Sequence, residues 1–299
     1  MKIGILELRD NEFIKDLVSR LDGFPVEFIS WSSQKIPVKC EYKVIVDRLS
    51  HLNEYKREIL KALSLNGTYV INNPFSVSLT NKIIDANICN MLGIPFPKTY
   101  ILPLLDSEEE DEILKEPDFK EIIKDIELPC IIKPFDGFAW DNVYVINTMS
   151  ELQNLYNALK SNYTLLIQEK IEWTEYYRVF CIGKECLVAG YEPKPRAMGR
   201  LTENAENSDI ARKITQWSLK LNSAIGLDIN SVEWAVDNEG NAFVIDAFNE
   251  TPDIIRSQMP DSYYNWLVEK FAELVIKKFH SSEKNKHFFQ ILTKITNIK

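Results

Sequence analysis

Glu233, Asp246 and Asn249 stand close together in the stretch 231–249, where two apolar runs flank the turn residues Asp237-Asn-Glu-Gly240. That pattern predicts a β-hairpin with Val236 facing Asn241. Counting outward, Glu233 faces Val244, and Asp246 lies two residues further along on the same face. The opposite face, with Val232, Trp234 and Ile245, is apolar. Like charges so placed repel unless a cation lies between them. A few oxygen ligands, with Asn249 as a third, are what Mg²⁺ takes from a protein when phosphate completes its shell. The plainer alternative is a pair of exposed acids on a sheet face.

Three further segments could meet such a centre. Lys133 closes the apolar run Leu128-Pro-Cys-Ile-Ile-Lys133, so it emerges at the end of a buried strand, where a lysine can reach a phosphate as a point charge. Lys82 lies in the first turns of a helix that follows Asn72-Asn73-Pro74. The strand Leu165-Leu-Ile-Gln-Glu169-Lys170-Ile171 turns polar and runs on to Glu175 and Arg178. A strand leaving its sheet exposes N–H and C=O groups that can pair with an adenine edge, and an acid just beyond can hold a ribose. By itself that segment reads most simply as an ordinary edge strand, and both lysines as solvent-exposed.

The elements that must position these residues show a change of texture along the chain. Up to residue 75, short β-branched runs (2–8, 26–31, 42–46, 68–71) alternate with helical spacing at 11–21 and 53–65, which predicts a parallel sheet covered on both faces. A helix over 78–92 ends at Gly93 and Pro95. The acidic run 106–112 reads as a solvated loop and helix face. Beyond Pro129, strands dominate (130–133, 143–146, 164–169, 177–182, 185–191, 231–236, 241–246), with helices over 150–159, 208–225 and 263–279. Ser208 is the expected N-cap of the second of these. Gly183-Lys184 suits a two-residue hairpin. The residues after 279 form a mildly basic tail.

Composition narrows the classes. The chain has 299 residues, 45% hydrophobic and 26% charged, enough for two or three domains with a sizeable core. Its 44 acidic against 35 basic side chains give a net charge of −9, which argues against nucleic acid as a partner. No apolar run approaches the ~20 residues of a membrane-spanning helix, and the first residues read as a strand rather than a signal peptide. The five cysteines include no CxxC pair, which argues against a disulfide framework or a thiolate metal site and points to a reducing cytoplasm. With three histidines, chemistry must rest on carboxylates, lysines and arginines.

Order and spacing together resemble the ATP-grasp proteins. The motifs, in that family's order, are Asn81-Lys-Ile-Ile-Asp85, Leu92-Gly-Ile-Pro-Phe-Pro-Lys-Thr99, Pro129-Cys-Ile-Ile-Lys-Pro134, Gln168-Glu-Lys-Ile171, Tyr177-Arg-Val179 and Asp246-Ala-Phe-Asn249. They cover about residues 70–255, and the match is nearest to the branch of glutathione synthetase-like carboxylate–amine ligases. The resemblance implies an α/β chain (α+β in its C-terminal part) with an ATP-grasp fold behind a small Rossmann-like domain. The expected division is 1–75 for that first domain, 76–166 for the central subdomain with its linking helix, and 167–299 for the C-terminal subdomain.

Carried over by position, the resemblance makes Lys82 and Lys133 phosphate contacts, and Glu169, Lys170 and Ile171 the hinge that pairs with adenine. Glu175 resembles the ribose contact, and Glu233, Asp246 and Asn249 the metal set. Arg178 would meet phosphate or the acyl-phosphate, and Lys194, Arg196 and Arg200 from the segment 191–200 the acceptor or the transferred phosphate; a plain surface loop is the alternative for that segment. The family usually has Glu at the position of Asp246, with one residue before the Asn instead of two. Its phosphate-covering loop is typically glycine-rich, whereas 135–142 holds Gly137 alone, beside Phe138 and Trp140. Arg48 and Arg256 could also face the cleft. The implied activity is an ATP- and Mg²⁺-dependent ligase forming a C–N bond through an acyl-phosphate. Its partners would be a small-molecule or peptide carboxylate and an amine acceptor, in a chain that could form homo-oligomers. A small-molecule kinase, or a non-catalytic nucleotide-binding protein, remains as the alternative.

Overall fold

The computed structural model describes residues 1–39, 41–105, 114–137, 142–194, 197–203 and 208–285. The acidic run 106–112, the flap residues 138–141 and Arg196 therefore lie outside the described residues. The first sheet is parallel, in the order β2-β1-β3-β4, from β1 (Lys2–Leu6), β2 (Val26–Phe28), β3 (Tyr42–Asp47) and β4 (Tyr69–Ile71). Strands β1, β3 and β4 are largely buried on both faces because helices cover both. Helix α1 (Glu12–Arg20), capped by Asn11, sets Phe13, Ile14 and Leu17 against Ile3, Ile5 and Val46. On the other face α2 (Glu54–Leu65), capped by Asn53, packs Ile59, Leu60 and Leu63 on Ile45 and Val70.

Beyond the short α3 (Pro74–Val77), helix α4 spans Lys82–Leu92. The single helix expected over 78–92 is interrupted at residues 78–81. Asn81 is extended, and its side chain accepts the N–H groups of Ile83 and Ile84 at 3.1 Å, so a new helix begins at Lys82. The next sheet is antiparallel, in the order β5-β8-β6-β7: β5 (Thr99–Leu102), β6 (Cys130–Pro134), β7 (Tyr144–Ile146) and β8 (Leu165–Glu169). Helices α5 (Phe119–Ile126) and α6 (Met149–Leu159) cover one face, where Ile122, Leu152 and Tyr156 meet Cys130, Ile132, Leu165 and Ile167.

The third sheet, β11-β10-β9-β12-β13, is antiparallel throughout. Its strands are β9 (Glu175–Ile182), β10 (Glu185–Lys194), β11 (Ala197–Thr202), β12 (Ile229–Val236) and β13 (Ala242–Asn249). Helix α7 (Asp209–Ile225), capped by Ser208 as expected, lies with α4 on one face, where Trp234 is fully buried and its indole N–H reaches Ser218 at 3.0 Å. Helix α8 (Asp261–His280) is wedged between this sheet and the first. Its Leu267, Val268 and Phe271 share one core with Ile3, Val44, Phe180 and Ile229.

Two asparagines tie the chain around the end of β13. The Asn72 side chain donates to the carbonyls of Ile229 and Glu250 and accepts the N–H groups of Asp228 and Ile229, all within 2.9 Å. Asn230 donates to Asn222 and the Ala247 carbonyl and accepts the N–H of Asn249 at 2.8 Å. At the outer edge of the first sheet, the Asn285 amide donates to the Val70 carbonyl at 2.9 Å and accepts its N–H at 2.7 Å.

Candidate functional site

The hairpin β12–β13 is present, but its register differs from the outward count. Val236 pairs with Ala242, and Glu233 lies directly opposite Asp246 instead of Val244. The turn moves the register by one residue and a bulge by a second, an extra residue of β13 standing between the pairs 234–244 and 233–246; a further irregularity follows between 233–246 and 231–249. Both irregularities are β-bulges, which re-aim side chains and cannot be seen by counting alternation. Ile245, placed on the apolar face by that count, is half-exposed instead. The second bulge also absorbs the additional residue between Asp246 and Asn249, since three steps of β13 match two of β12. Asn249 falls opposite Ser231, whose buried hydroxyl has no hydrogen-bond partner among the described residues.

Cationic side chains from three elements meet this pair of acids. Arg178 on β9 stands opposite Glu233 in the ladder and is ion-paired to its Oε1, both side chains being 14% exposed. Tyr176 donates its hydroxyl to the other carboxylate oxygen at 2.9 Å. The Arg178 guanidinium lies over the Tyr191 ring, 4.4 Å from its centroid, which fixes its plane. Lys82, at the first position of α4, reaches Asp246 at 3.7 Å, and the charge of Asp246 raises its pKa against the effect of burial. Lys133, 8% exposed, donates to Gln168 Oε1 at 2.8 Å. Burial, then the nearby charge of Lys82, pulls its pKa down to about 7.

Lys133 shares a sheet face with Thr99, Ile101, Ile131, Val145, Leu166 and Gln168, the face turned away from α5 and α6. Ile101 and Val145 are exposed there, making an apolar bed for a flat ring beside a lysine. Glu169 ends β8, its N–H bonded to the Lys98 carbonyl and its carboxylate accepting the Lys98 N–H at 3.1 Å. Lys170 and Ile171 belong to the link 170–174, which leaves one antiparallel sheet and enters the next outside both ladders. Lys170 is ion-paired to Glu172. Glu175 opens β9, exposed, and accepts the Tyr177 hydroxyl at 2.7 Å.

Other expected contributors lie apart. Arg200 is exposed on β11 opposite Glu192, and Lys194 is exposed at the end of β10. Arg256 does not face the cleft. It lies on the Tyr264 ring and pairs with Asp16 and Asp261, on α1 and α8. Arg48 is buried between Glu7, at 3.6 Å, and the Pro252 carbonyl, at 2.8 Å, and so clamps the first sheet to the chain after Asn249.

Sequence reasoning missed Asp85, Tyr176, Gln168 and Glu250. Asp85 is one helical turn after Lys82 and 4% exposed, and its Oδ1 has no hydrogen-bond partner among the described residues. Burial and then Asp246 raise its pKa well above the carboxylate range. Burial likewise lifts Glu250 to about 7. The i, i+3 spacing from Lys82 was a legible signal for Asp85. Glu250, adjoining Asn249, carried none.

Among the described residues no group of three or more His, Cys, Asp or Glu is placed to hold a metal ion. Two opposed carboxylates and a following amide nevertheless suit Mg²⁺, which takes one or two protein carboxylates and fills its shell with phosphate and water. The donor chemistry of Glu233, Asp246 and Asn249 fits that ion, with Lys82 and Arg178 balancing the acids.

Comparison with solved structures shows the same fold. D-alanine–D-alanine ligase from Bacillus anthracis, complexed with ATP, superposes with a TM-score of 0.67 at 14% identity, over 93% of this chain and 97% of that one. The macrocyclase MdnC from Microcystis aeruginosa MRC, bound with precursor peptide MdnA, gives 0.65 at 15% identity, over 92% and 99%. The Chryseobacterium gregarium RiPP-associated ATP-grasp ligase, in complex with ADP and a leader and core peptide, gives 0.65 at 16%, over 96% and 99%. No curated protein sequence matches the chain. The model of the RimK-like ATP-grasp domain matches residues 104–261, more than half of the 299. The chain therefore belongs to the RimK-like ATP-grasp family.

Proposed function

We propose that this chain is an ATP- and Mg²⁺-dependent carboxylate–amine ligase acting on an amino acid or peptide. The observation that carries the reading is the convergence of Lys82, Lys133 and Arg178, from a helix and two different sheets, on the opposed acids Glu233 and Asp246. Phosphoryl transfer asks a protein chiefly for positioning and charge neutralisation, which this set supplies. Lys82 and Lys133 bind the phosphates, and Glu169, Lys170 and Ile171 pair with the base while the apolar face carrying Ile101 and Val145 carries its ring. Glu175 takes the ribose. Glu233, Asp246 and Asn249 hold Mg²⁺, which supplies charge neutralisation on the phosphate oxygens. Arg178 orients the acyl-phosphate oxygens. The division near residues 75 and 166 belongs to the same reading, with nucleotide between the central and C-terminal subdomains.

In the first step a substrate carboxylate oxygen bonds to the γ-phosphorus and the bond to ADP breaks. In the second an amine bonds to the acyl carbon, the carbon–oxygen bond breaks, phosphate leaves and the amine proton passes to water. Acyl-phosphates react with hydroxylamine, so the test is ADP release with Mg-ATP and pools of amino acids and peptides, hydroxylamine replacing the amine. A hydroxamate identified by mass supports the reading. A phosphorylated product identifies a kinase instead, and no ADP above background across the pools refutes turnover of either kind.

A further inference from the structure

Cys181 and Cys186 face each other on β9 and β10, as adjacent partners in an antiparallel ladder. The hairpin closes at Ile182 and Glu185 across Gly183-Lys184, with Gly183 at φ 62°, the left-handed first position of a primed two-residue turn. Such a hairpin closes on a pair that exchanges both backbone hydrogen bonds. The next pair outward is therefore the non-hydrogen-bonded kind, whose side chains lie closest. Both are free thiols, and their sulfurs are in contact at 2.6 Å.

We propose that Cys181 and Cys186 are a site of reversible disulfide formation, oxidised by a small-molecule or protein disulfide. Entry is through Cys186, which is half-exposed, whereas Cys181 is fully buried. The Cys186 thiolate attacks one sulfur of the oxidant, whose first thiol leaves. The Cys181 sulfur then attacks Cys186 Sγ and expels the second thiol, and both protein protons end on the two departing thiols. Two protein thiols are oxidised and one disulfide is reduced to two thiols, so atoms and electrons balance. Cys89 and Cys130 are buried in separate cores and have no such neighbour among the described residues.

The bridge acts on the proposed site through register. Three ladder pairs from Cys181–Cys186, Arg178 pairs with Ala189, and Tyr191, which carries the Arg178 guanidinium, lies two residues further along β10. A covalent tie at the hairpin's closed end holds β9 and β10 from slipping past each other, and hence holds the ring under the guanidinium.

The sequence offers a direct readout, because trypsin cuts after Lys184, between the two cysteines. Full-length protein is equilibrated with oxidised glutathione, the remaining thiols are alkylated, and the chain is digested without reduction. The expected result is a fall from five thiols to three, with peptides 179–184 and 185–196 joined and separated by dithiothreitol. Cys186→Ser should abolish the link, and Cys130→Ser should leave it intact. The wild-type map stands even if a variant fails to fold. Five thiols after oxidation, a stable glutathione adduct on Cys186 without the link, or a link to another cysteine overturns the proposal.

Discussion

Lys133 is poised to change protonation when phosphate arrives. Buried, and repelled by Lys82, its ammonium titrates at about 7. At pH 8 roughly nine-tenths of the molecules therefore carry it neutral, against about half at pH 7. A triphosphate beside Nζ favours the charged form, so binding at pH 8 should take up about 0.9 proton at this side chain. Affinity should fall about tenfold per pH unit above 7, until the bound-state pKa is reached. Stability of the unliganded protein should move the other way. Between about 7 and the ordinary lysine value of 10.5 the unfolded chain binds more protons at this position, so this group's contribution rises with pH, on the order of 2–4 kcal/mol across the window. The assay is calorimetry of Mg-ATP binding in two buffers of different ionisation enthalpy, on wild type and Lys133→Met. Subtraction cancels protons released by the nucleotide and by other groups. An uptake difference below about 0.2 proton at pH 8, or an equal pH slope in the variant, would refute the argument.

Two further outcomes test the frame around the site. Asn72→Ala strips four hydrogen bonds, three of them fully buried, from two backbone segments and should cost about 3–5 kcal/mol in urea unfolding; a loss under 1 kcal/mol would mean that water replaces the amide fully. In Gly199→Ala a Cβ would overlap the Tyr191 ring and stand 2.5 Å from the Glu192 carbonyl, so the ring must shift from its place under Arg178 or the strand must move with it. Losing that stack, worth about 0.5–2 kcal/mol, should weaken anion binding by about two- to thirtyfold, read by titration with Mg-ATP; unchanged affinity would show that Glu233 alone aims the guanidinium.

The chemistry of the site was more legible in the sequence than its geometry. Carboxylates at 233 and 246 beside an apolar hairpin announce themselves by type and spacing. Their direct opposition does not, because strand alternation assumes no bulge and this hairpin contains two. Lys82 stood out as a cation near a helix start, but only the Asn81 cap decides that the helix begins there. The parallel first sheet followed from short β-branched runs alternating with segments of helical spacing. By contrast β5 went unread, since Thr99-Tyr-Ile-Leu102 follows a proline-rich link and is too short to show a period. Asn72 looked like a turn residue in the chain and Asn230 stood out in no way, and the value of both lies in partners more than a hundred positions away or across a strand pair. Arg256 misled for the same reason: proximity to Asn249 along the chain says nothing about which way the next loop turns.

The amide of Asn285 has a consequence for how copies of this molecule meet. β4 is the outer strand of the first sheet, and an open strand edge invites pairing with another chain. By occupying both the donor and the acceptor of Val70, the middle residue of three, one side chain imitates a neighbouring strand too short to be extended. The sheet can then recruit a stranger only at β2, itself three residues long and holding a half-buried pattern with a charged Glu27 at its centre. What Asn285 provides at this edge is colloidal: Val70 keeps no N–H or C=O on which another strand could pair.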